Sequence, residues 1–253
     1  MRRVPKSWPP TNVSPNGQNT CTMARAEQEY LAELPAVQDK TAFARSRFDQ
    51  LDKGKLREVM YREQRWICIY CERTIQEGYS PPHIEHWKPL SVNHDKALCW
   101  KNLYLSCTSQ GSCDNAKGKQ LLKWADTDPD LPWPGDFSYQ EVLGFTSRGE
   151  IYVRTDVNLS SACRRALELA LNDCQNGNQK RKAILNLNHP TLVAARAAAL
   201  DSEKSRLERE FRGRTASQEE RADRAKSLEN SDPLPAFVSV RVAWLKKMIG
   251  KGR

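Results

Sequence analysis

The stretch CIYC at residues 68–71 is followed by HIEHWKPL at 83–90, WKNLYLSC at 100–107 and CDNAKGK at 113–119. Two cysteine pairs therefore enclose a segment with a Glu-His dipeptide, and the last cysteine is followed directly by acidic, amide and basic side chains. Zinc binds thiolate sulfur readily, whereas harder divalent ions prefer oxygen ligands. The four stretches thus predict a structural metal ion and, close to it, a hydrolytic one.

Cys68 and Cys71 form a CxxC pair, and Cys107 and Cys113 form a wider pair separated by TSQGS. Four sulfurs suffice for one tetrahedral zinc ion, and a glycine-containing loop can bring the second pair together. Such a site is structural because four protein ligands leave no coordination position open, so catalysis requires other residues. Two alternatives stay open: Cys99 replaces one ligand, or Cys107 is a buried apolar cysteine and zinc is absent.

Histidine and carboxylate side chains crowd into the stretch HIEHWKPL. Successive side chains of a strand point to opposite faces, which puts His83 and Glu85 on one face and His86 on the other unless a bulge intervenes. A carboxylate such as that of Glu85 favours Mg²⁺ or Mn²⁺, and a neutral imidazole can accept a proton from water. The stretch therefore predicts a catalytic divalent ion beside a general base.

A second polar group, formed by Asp114, Asn115 and Lys117, follows the last cysteine of the module. It predicts the start of a helix, whose N-terminal amides attract phosphate. A metal ion held between Glu85 and this helix would meet a scissile phosphate there. Lys117 and Lys119 are candidates for phosphate contacts, although lysines early in a helix are also common on solvated faces.

The chain has 253 residues, a net charge of +9 and a pI near 9.2, which fits a polyanionic partner such as nucleic acid. No apolar run approaches the roughly 20 residues needed to span a membrane. Pro9, Pro10 and Pro15 stand where a signal peptide needs an apolar stretch. We therefore expect a cytoplasmic protein without membrane association, whose eight cysteines are free or metal-bound rather than paired as disulfides.

Composition and periodicity divide the chain into four segments: a poorly ordered Pro-, Asn- and Thr-rich arm at 1–22, helices at 23–65, the cysteine-rich module at 66–125, and a β-hairpin with helices at 126–253. Within 23–65, Gly54 is expected to separate two helices. The last segment is expected to contain a hairpin at 141–153 and helices at 161–173 and from Pro190 onward. The predicted fold class is α+β and mostly α-helical.

The order CxxC, Glu-His, Asn-Leu, then Cys with a polar pair and Lys-Gly resembles the HNH endonucleases. The resemblance implies their ββα-metal fold, in which two short strands and a helix hold one divalent ion. It implies that His86 is the general base, that Asn102 braces the loop carrying this base, and that Glu85 is the first metal ligand. The family usually has His or Asn directly after the last cysteine, but here that position is Asp114 and Asn115 follows, so the last ligand is Asp114 by register or Asn115 by residue type. Both assignments stay open.

A narrower resemblance covers roughly residues 55–205 and rests on LREVMYREQRWICIYC, IEHWKPLS, GFTSRGEIYV and ILNLNHPTLVAARAAAL. These blocks are similar to the PtuB-type HNH effector of Septu and retron-associated anti-phage systems. The resemblance implies structural Zn²⁺, catalytic Mg²⁺ or Mn²⁺, and a complex with a PtuA-like ATPase, or with a retron reverse transcriptase and its RNA-DNA hybrid. The substrate would be DNA or RNA. The alternative is a zinc-stabilised nucleic-acid- or protein-binding adaptor with weak catalysis.

Overall fold

The structure, a computed structural model, describes residues 1–7, 9–11, 13, 22–76, 78, 80–120, 131–176, 179–181, 183–212 and 214–250. The helices are α1 Met23–Glu33, α2 Lys40–Asp49, α3 Lys53–Gln64, α4 Cys113–Gln120, α5 Tyr139–Val142, α6 Ser161–Leu171, α7 Pro190–Glu210, α8 Gln218–Asn230 and α9 Val238–Gly250. The strands are β1 His83–His86, β2 Leu103–Ser106, β3 Leu143–Phe145, β4 Ile151–Val153, β5 Cys174–Asn176 and β6 Gln179–Arg181. The strands pair in sequence order as three antiparallel two-stranded sheets. The fold is therefore α+β and mostly helical, as predicted.

The sequence suggested that Gly54 separates two helices, but the break between α2 and α3 falls before it. Asp52 ends the connection, and its side chain accepts a hydrogen bond from the Lys55 backbone N–H at 3.0 Å. An aspartate at this position satisfies one of the free amides at the start of a helix, which is why α3 begins directly after it. Gly54 consequently lies inside the first turn of α3.

The N-terminal segment, expected to be poorly ordered, contacts the rest of the protein through the residues that the structure describes. Met1, Val4 and Val13 belong to the main hydrophobic core. The amino terminus lies 3.5 Å from the carboxylate of Glu72, and the Val4 N–H donates to the Pro134 carbonyl at 2.8 Å. A few apolar anchors can thus tie these described residues to the core, although the segment has little periodicity of its own.

The β1–β2 pair and α4 form the centre of the cysteine-rich module. In the antiparallel register, Glu85 lies opposite Tyr104 and His86 lies opposite Leu103. The buried side chain of Gln64, at the end of α3, donates to the Leu105 carbonyl at 2.9 Å and accepts from its N–H at 2.6 Å. These two bonds replace a third strand along the free edge of β2, and they fix α3 beside the pair.

The C-terminal part contains the predicted hairpin, now β3 and β4, and the predicted helices α6 and α7. Gly149 in the hairpin turn has a φ of +88°, and a Cβ there would lie 2.4 Å from the Val193 carbonyl oxygen. The turn can pack directly onto α7 because Gly149 has no side chain. The β5–β6 pair was not anticipated. The boundary expected at 125/126 lies outside the described residues.

Helices α8 and α9 pack on α7 around a second, smaller apolar cluster. At its side, the fully buried carboxylate of Glu203 accepts hydrogen bonds from Arg224 Nε at 2.6 Å and from Arg241 Nη1 at 3.0 Å. One carboxylate thereby links all three helices. No helix in the described part of the chain is both long and apolar enough to cross a bilayer.

Candidate functional site

The sulfur atoms of the four predicted zinc ligands lie together in the interior. Cys68 and Cys113 are 4.0 Å apart, and Cys107 lies 3.7 Å from both Cys71 and Cys113. A regular tetrahedron with zinc–sulfur bonds of about 2.3 Å has sulfur–sulfur edges of about 3.8 Å. The four side chains are buried and unpaired by disulfides, so the cluster can hold a metal ion such as zinc.

Backbone geometry around the cluster explains how two distant pairs meet. Gly111 and Cys113 both have positive φ, at 73° and 55°, which turns the chain back between the two cysteines of the second pair. The Cys107 N–H donates to the sulfur of Cys68 at 3.3 Å, a contact that favours a thiolate. Cys99 lies outside the cluster, with Glu27 beside its thiol. The geometry therefore selects the original four ligands over the Cys99 alternative.

A second polar cluster lies between β1 and α4 and centres on the buried carboxylate of Glu85. Tyr70, from the CxxC turn, donates its hydroxyl proton to Glu85 Oε1 at 2.9 Å. The Lys117 ammonium also donates to Oε1, as well as to the backbone carbonyls of His86 at 2.6 Å and Trp87 at 3.0 Å. Lys117 is therefore turned inward and buried, and it is not placed as the surface phosphate contact that the sequence suggested. The side chain of the other candidate, Lys119, lies outside the described residues.

Asp114, on the first turn of α4, lies on the side of the helix that faces β1. Its Oδ2 atom accepts a hydrogen bond from His83 Nδ1 at 2.8 Å, and its carboxylate also lies close to that of Glu85. Asn115 instead donates from Nδ2 to the Ser109 carbonyl at 3.1 Å, away from β1. Of the two residues left open by the sequence, Asp114 is the one that the structure brings to Glu85.

The two carboxylates shift each other's titration. Burial raises the pKa of Glu85 to about 8, and the neighbouring Asp114 adds to this rise while Lys117 opposes it. Burial would also raise the pKa of Asp114, but hydrogen bonding with Glu85 and His83 outweighs it, so this pKa is lowered. Such a pair is electrostatically costly when both members are ionised, and a further cation beside it would remove the cost.

His86 projects from the opposite face of β1, as the alternation of the strand predicts. Its Nε2 atom lies 2.9 Å from the Ala97 carbonyl, and its ring packs edge-on against Phe48 with 4.6 Å between centroids. Because a carbonyl can only accept, Nε2 carries the proton and Nδ1 keeps a free lone pair. Burial lowers the pKa of His86 to about 4, so the ring is neutral near pH 7. The imidazole is thus held in a form that can accept a proton.

The side chain of Asn102 is completely buried and braces the loop that follows His86. Its Oδ1 accepts from the Lys88 N–H at 2.6 Å, and its Nδ2 donates to the carbonyls of Lys88 at 3.0 Å and Lys96 at 2.9 Å. The Asn102 carbonyl accepts from the Trp87 N–H at 2.8 Å. These four bonds hold the end of β1, and with it the backbone of His86, against the start of β2.

Sequence reasoning missed the role of Tyr70. A tyrosine between two zinc-knuckle cysteines carries no signal of its own, because intervening residues vary freely in such turns. Tyr70 is fully buried and lies against Trp87, with 5.3 Å between ring centroids. It connects the cysteine cluster to the carboxylate cluster through one side chain.

No family model matches this chain, and no curated protein matches it. The case for a function therefore rests on the contacts of the residues described above.

Proposed function

We propose that this protein is an HNH-type endonuclease that hydrolyses nucleic-acid phosphodiester bonds with a divalent metal ion. The observation that carries the proposal is the approach of two carboxylates, Glu85 on β1 and Asp114 on α4, on the strand whose next residue is the neutral imidazole of His86. Antiparallel β1 and β2 followed by α4 are in the order expected for a ββα-metal core. A binding module has no evident need for an unprotonated base and paired carboxylates on neighbouring positions of one strand.

The oxygen-rich donor set suits Mg²⁺ or Mn²⁺ better than zinc. Glu85 and Asp114 would hold the ion. Tyr70 and Lys117 both bond to Oε1 of Glu85, which orients the carboxylate with Oε2 as its second donor atom. When bound, the ion would polarise the scissile phosphate and stabilise the leaving oxygen. Both proposed metal ligands therefore come from β1 and α4.

His86 would take a proton from the attacking water at Nδ1, while its Nε2–H keeps the ring oriented on the Ala97 carbonyl. Before substrate binds, the His86 imidazole, with a pKa near 4, is a weak proton acceptor. The approach of an anionic phosphate raises the pKa of a neighbouring imidazole and so strengthens it as a base during the reaction. Asn102 would act by holding the loop behind this histidine. The four cysteines would hold Zn²⁺ in a purely structural role.

The sequence resemblance supports a cellular setting in bacterial anti-phage defence, beside a PtuA-like ATPase. We infer that the nuclease is the effector of such a complex and acts on DNA or RNA in the cytoplasm. A retron reverse transcriptase with its RNA-DNA hybrid would be a further partner in a retron-type complex. The helical region from about residue 160 onward would serve as the docking surface.

One observation favours the alternative, a catalytically weak zinc-stabilised adaptor. The ammonium of Lys117 already supplies a positive charge to Glu85, so the carboxylate is compensated without a metal ion. In that reading the carboxylate cluster is a structural link between β1 and α4. Metal-dependent cleavage decides between the two functions.

The test incubates the protein with plasmid DNA and with RNA, in Mg²⁺ and in Mn²⁺, with and without the ATPase partner. His86→Ala should abolish cleavage. His94→Ala is a matched control, because His94 bonds to Thr41 at 2.8 Å at the start of the short 3-10 helix His94–Lys96 and has no place in the mechanism. Cleavage that is absent from the wild type in every combination would reject the enzyme, and cleavage that persists in His86→Ala would reject His86 as its general base.

A further inference from the structure

The first turns of α3 place two basic side chains near the two ends of β1. Lys53 donates to the Phe48 carbonyl, and its ammonium lies 3.7 Å from the centroid of the Phe48 ring, which packs on His86. Arg57 donates from Nε to the Pro82 carbonyl at 3.2 Å, next to the start of β1. Lys53 therefore stands at the His86 end of the strand and Arg57 at its other end.

The acidic residues of α3 are engaged by other cations. Glu58 pairs with Lys55 and Arg62, and Glu63 pairs with Lys6. Within the part of the chain that the structure describes, no carboxylate oxygen lies within 4.0 Å of a side-chain nitrogen of Lys53 or Arg57. Both side chains are half-buried and hydrogen-bonded to backbone carbonyls. Their charges are thus held in place without a counter-ion.

The environment of Lys53 also favours binding of an anion. Burial lowers its pKa to about 8, although Asp49 partly opposes this shift. A half-buried ammonium has lost part of its hydration, and here no carboxylate contacts it in exchange. The approach of an anion therefore stabilises it. The charge of Lys53 also acts on His86 and helps to lower the pKa of the imidazole. An anion bound at Lys53 would therefore lie close to the proposed base.

We propose that Lys53 and Arg57 bind neighbouring phosphates of the nucleic-acid strand that is cut, an inference that rests on the proposed endonuclease function. The two residues are four positions apart on one face of α3, so their backbones are separated by about 6 Å along the helix axis. That separation suits adjacent phosphates of a single strand. The strand would then follow the side of α3 that carries Lys53 and Arg57, with its scissile phosphate at the His86 end of β1. The chemistry recognised is the phosphodiester backbone of DNA or RNA.

The test compares two charge-matched double variants of the full-length protein. K53Q/R57Q removes the proposed contacts, and glutamine can still donate to the carbonyls of Phe48 and Pro82. K55Q/R62Q removes the same charge from the exposed side of the same helix, where both cations pair with Glu58. Fluorescence anisotropy measures binding of labelled single-stranded DNA, single-stranded RNA and duplex DNA over a range of salt concentrations, without added divalent metal. Thermal melting checks that both variants are folded.

K53Q/R57Q should weaken binding by about tenfold or more at low salt and should reduce the slope of log affinity against log salt by about 1.4 for a single strand, the value for two lost phosphate contacts. K55Q/R62Q should change affinity by less than about twofold. Equal losses in both variants, or no loss in the first, would overturn the inference, as would a folded wild type that binds none of the three probes. The cleavage assay with His86→Ala is independent of this comparison, so the contact can fail while the nuclease stands. Binding that depends on Lys53 and Arg57, with no cleavage under any condition, would reject the nuclease and leave a nucleic-acid-binding surface.

Discussion

The ammonium of Lys117 forms a buried ion pair with the carboxylate of Glu85, and this pair joins α4 to the end of β1. Both side chains are less than 10% exposed, at 7% and 9%. Lys117 also bonds to the His86 and Trp87 carbonyls, so that one side chain satisfies several polar groups at the strand end. The pair fixes the position of the Glu85 side chain. Because both groups are buried, removing one partner costs more stability than breaking an exposed ion pair would.

Lys117→Met is expected to destabilise the fold by at least about 2 kcal/mol, because it removes the cation that favours ionised Glu85 and the donor to the carbonyls of His86 and Trp87. Urea denaturation measures this change. The double variant Lys117→Met/Glu85→Gln should recover part of the loss, since the buried charge is gone. Lys101→Met, at an exposed position, serves as the control. A Lys117 variant with unchanged stability but weaker nucleic-acid binding would restore the surface role suggested by the sequence.

Cys113→Ser and Cys68→Ser should each abolish zinc binding, whereas Cys99→Ser should retain it. A site with three sulfurs and one hydroxyl loses the charge and geometry that hold zinc, and metal binding contributes directly to folding free energy. Elemental analysis of the purified proteins gives the zinc content, and circular dichroism gives the melting temperature. Strong chelators should lower the melting temperature of the wild type. Zinc retained in Cys113→Ser would contradict the four-cysteine assignment.

Asn102→Ala should cost at least about 2 kcal/mol, because it removes three hydrogen bonds from a fully buried side chain to the half-buried backbone of Lys88 and Lys96. Chemical denaturation at neutral pH reports the loss. Asn93→Ala is a suitable comparison, since Asn93 makes a single longer bond to the Pro89 carbonyl at 3.3 Å. Similar losses in the two variants would mean that Asn102 has no special bracing role.

Asp114→Ala should raise the Mn²⁺ concentration needed for half-maximal cleavage by at least about tenfold, whereas Asn115→Ala should leave it nearly unchanged. The reason is that Asp114 faces Glu85 and Asn115 bonds to the Ser109 carbonyl. Metal titrations of cleavage, run in parallel on both variants, make the comparison. The reverse ranking would assign the last ligand to Asn115 and contradict the geometry.

Glu203 should make part of the stability depend on pH. Burial would raise its pKa, but Arg224 and Arg241 outweigh burial, so the pKa is lowered in the folded protein. Since an unfolded glutamate titrates near about 4.3, this stabilisation is present above that pH and is lost as the pH falls through the folded pKa. Denaturation of Glu203→Gln and wild type between pH 7 and 3 should show a difference that shrinks on acidification. The exposed Glu208→Gln is the control, and a gap that stays constant with pH would refute the linkage.

Short-range spacing was enough to predict several features correctly. The cysteine pairs at 68/71 and 107/113 converge as expected, because turns bring nearby sulfurs together and metal ligation has a narrow geometry. The alternation of β1 also follows from the sequence, since a strand repeats every two residues. The hairpin at 143–153 and the start of α7 at Pro190 were visible for the same local reason.

Other features depend on how elements are rotated against one another, and local patterns do not contain that information. Asp114 and Lys117 are three residues apart and share a face of α4, while Asn115 is turned by about 100° to the side. Only the packing of α4 on β1 decides that the first face points to Glu85. The same holds for the N-terminal segment, whose contacts with Glu72 and Pro134 join residues far apart in sequence. Sequence alone thus determined the ligand types and the periodicity, and the tertiary packing decided which charges meet, because a side chain's partner depends on the relative orientation of whole elements.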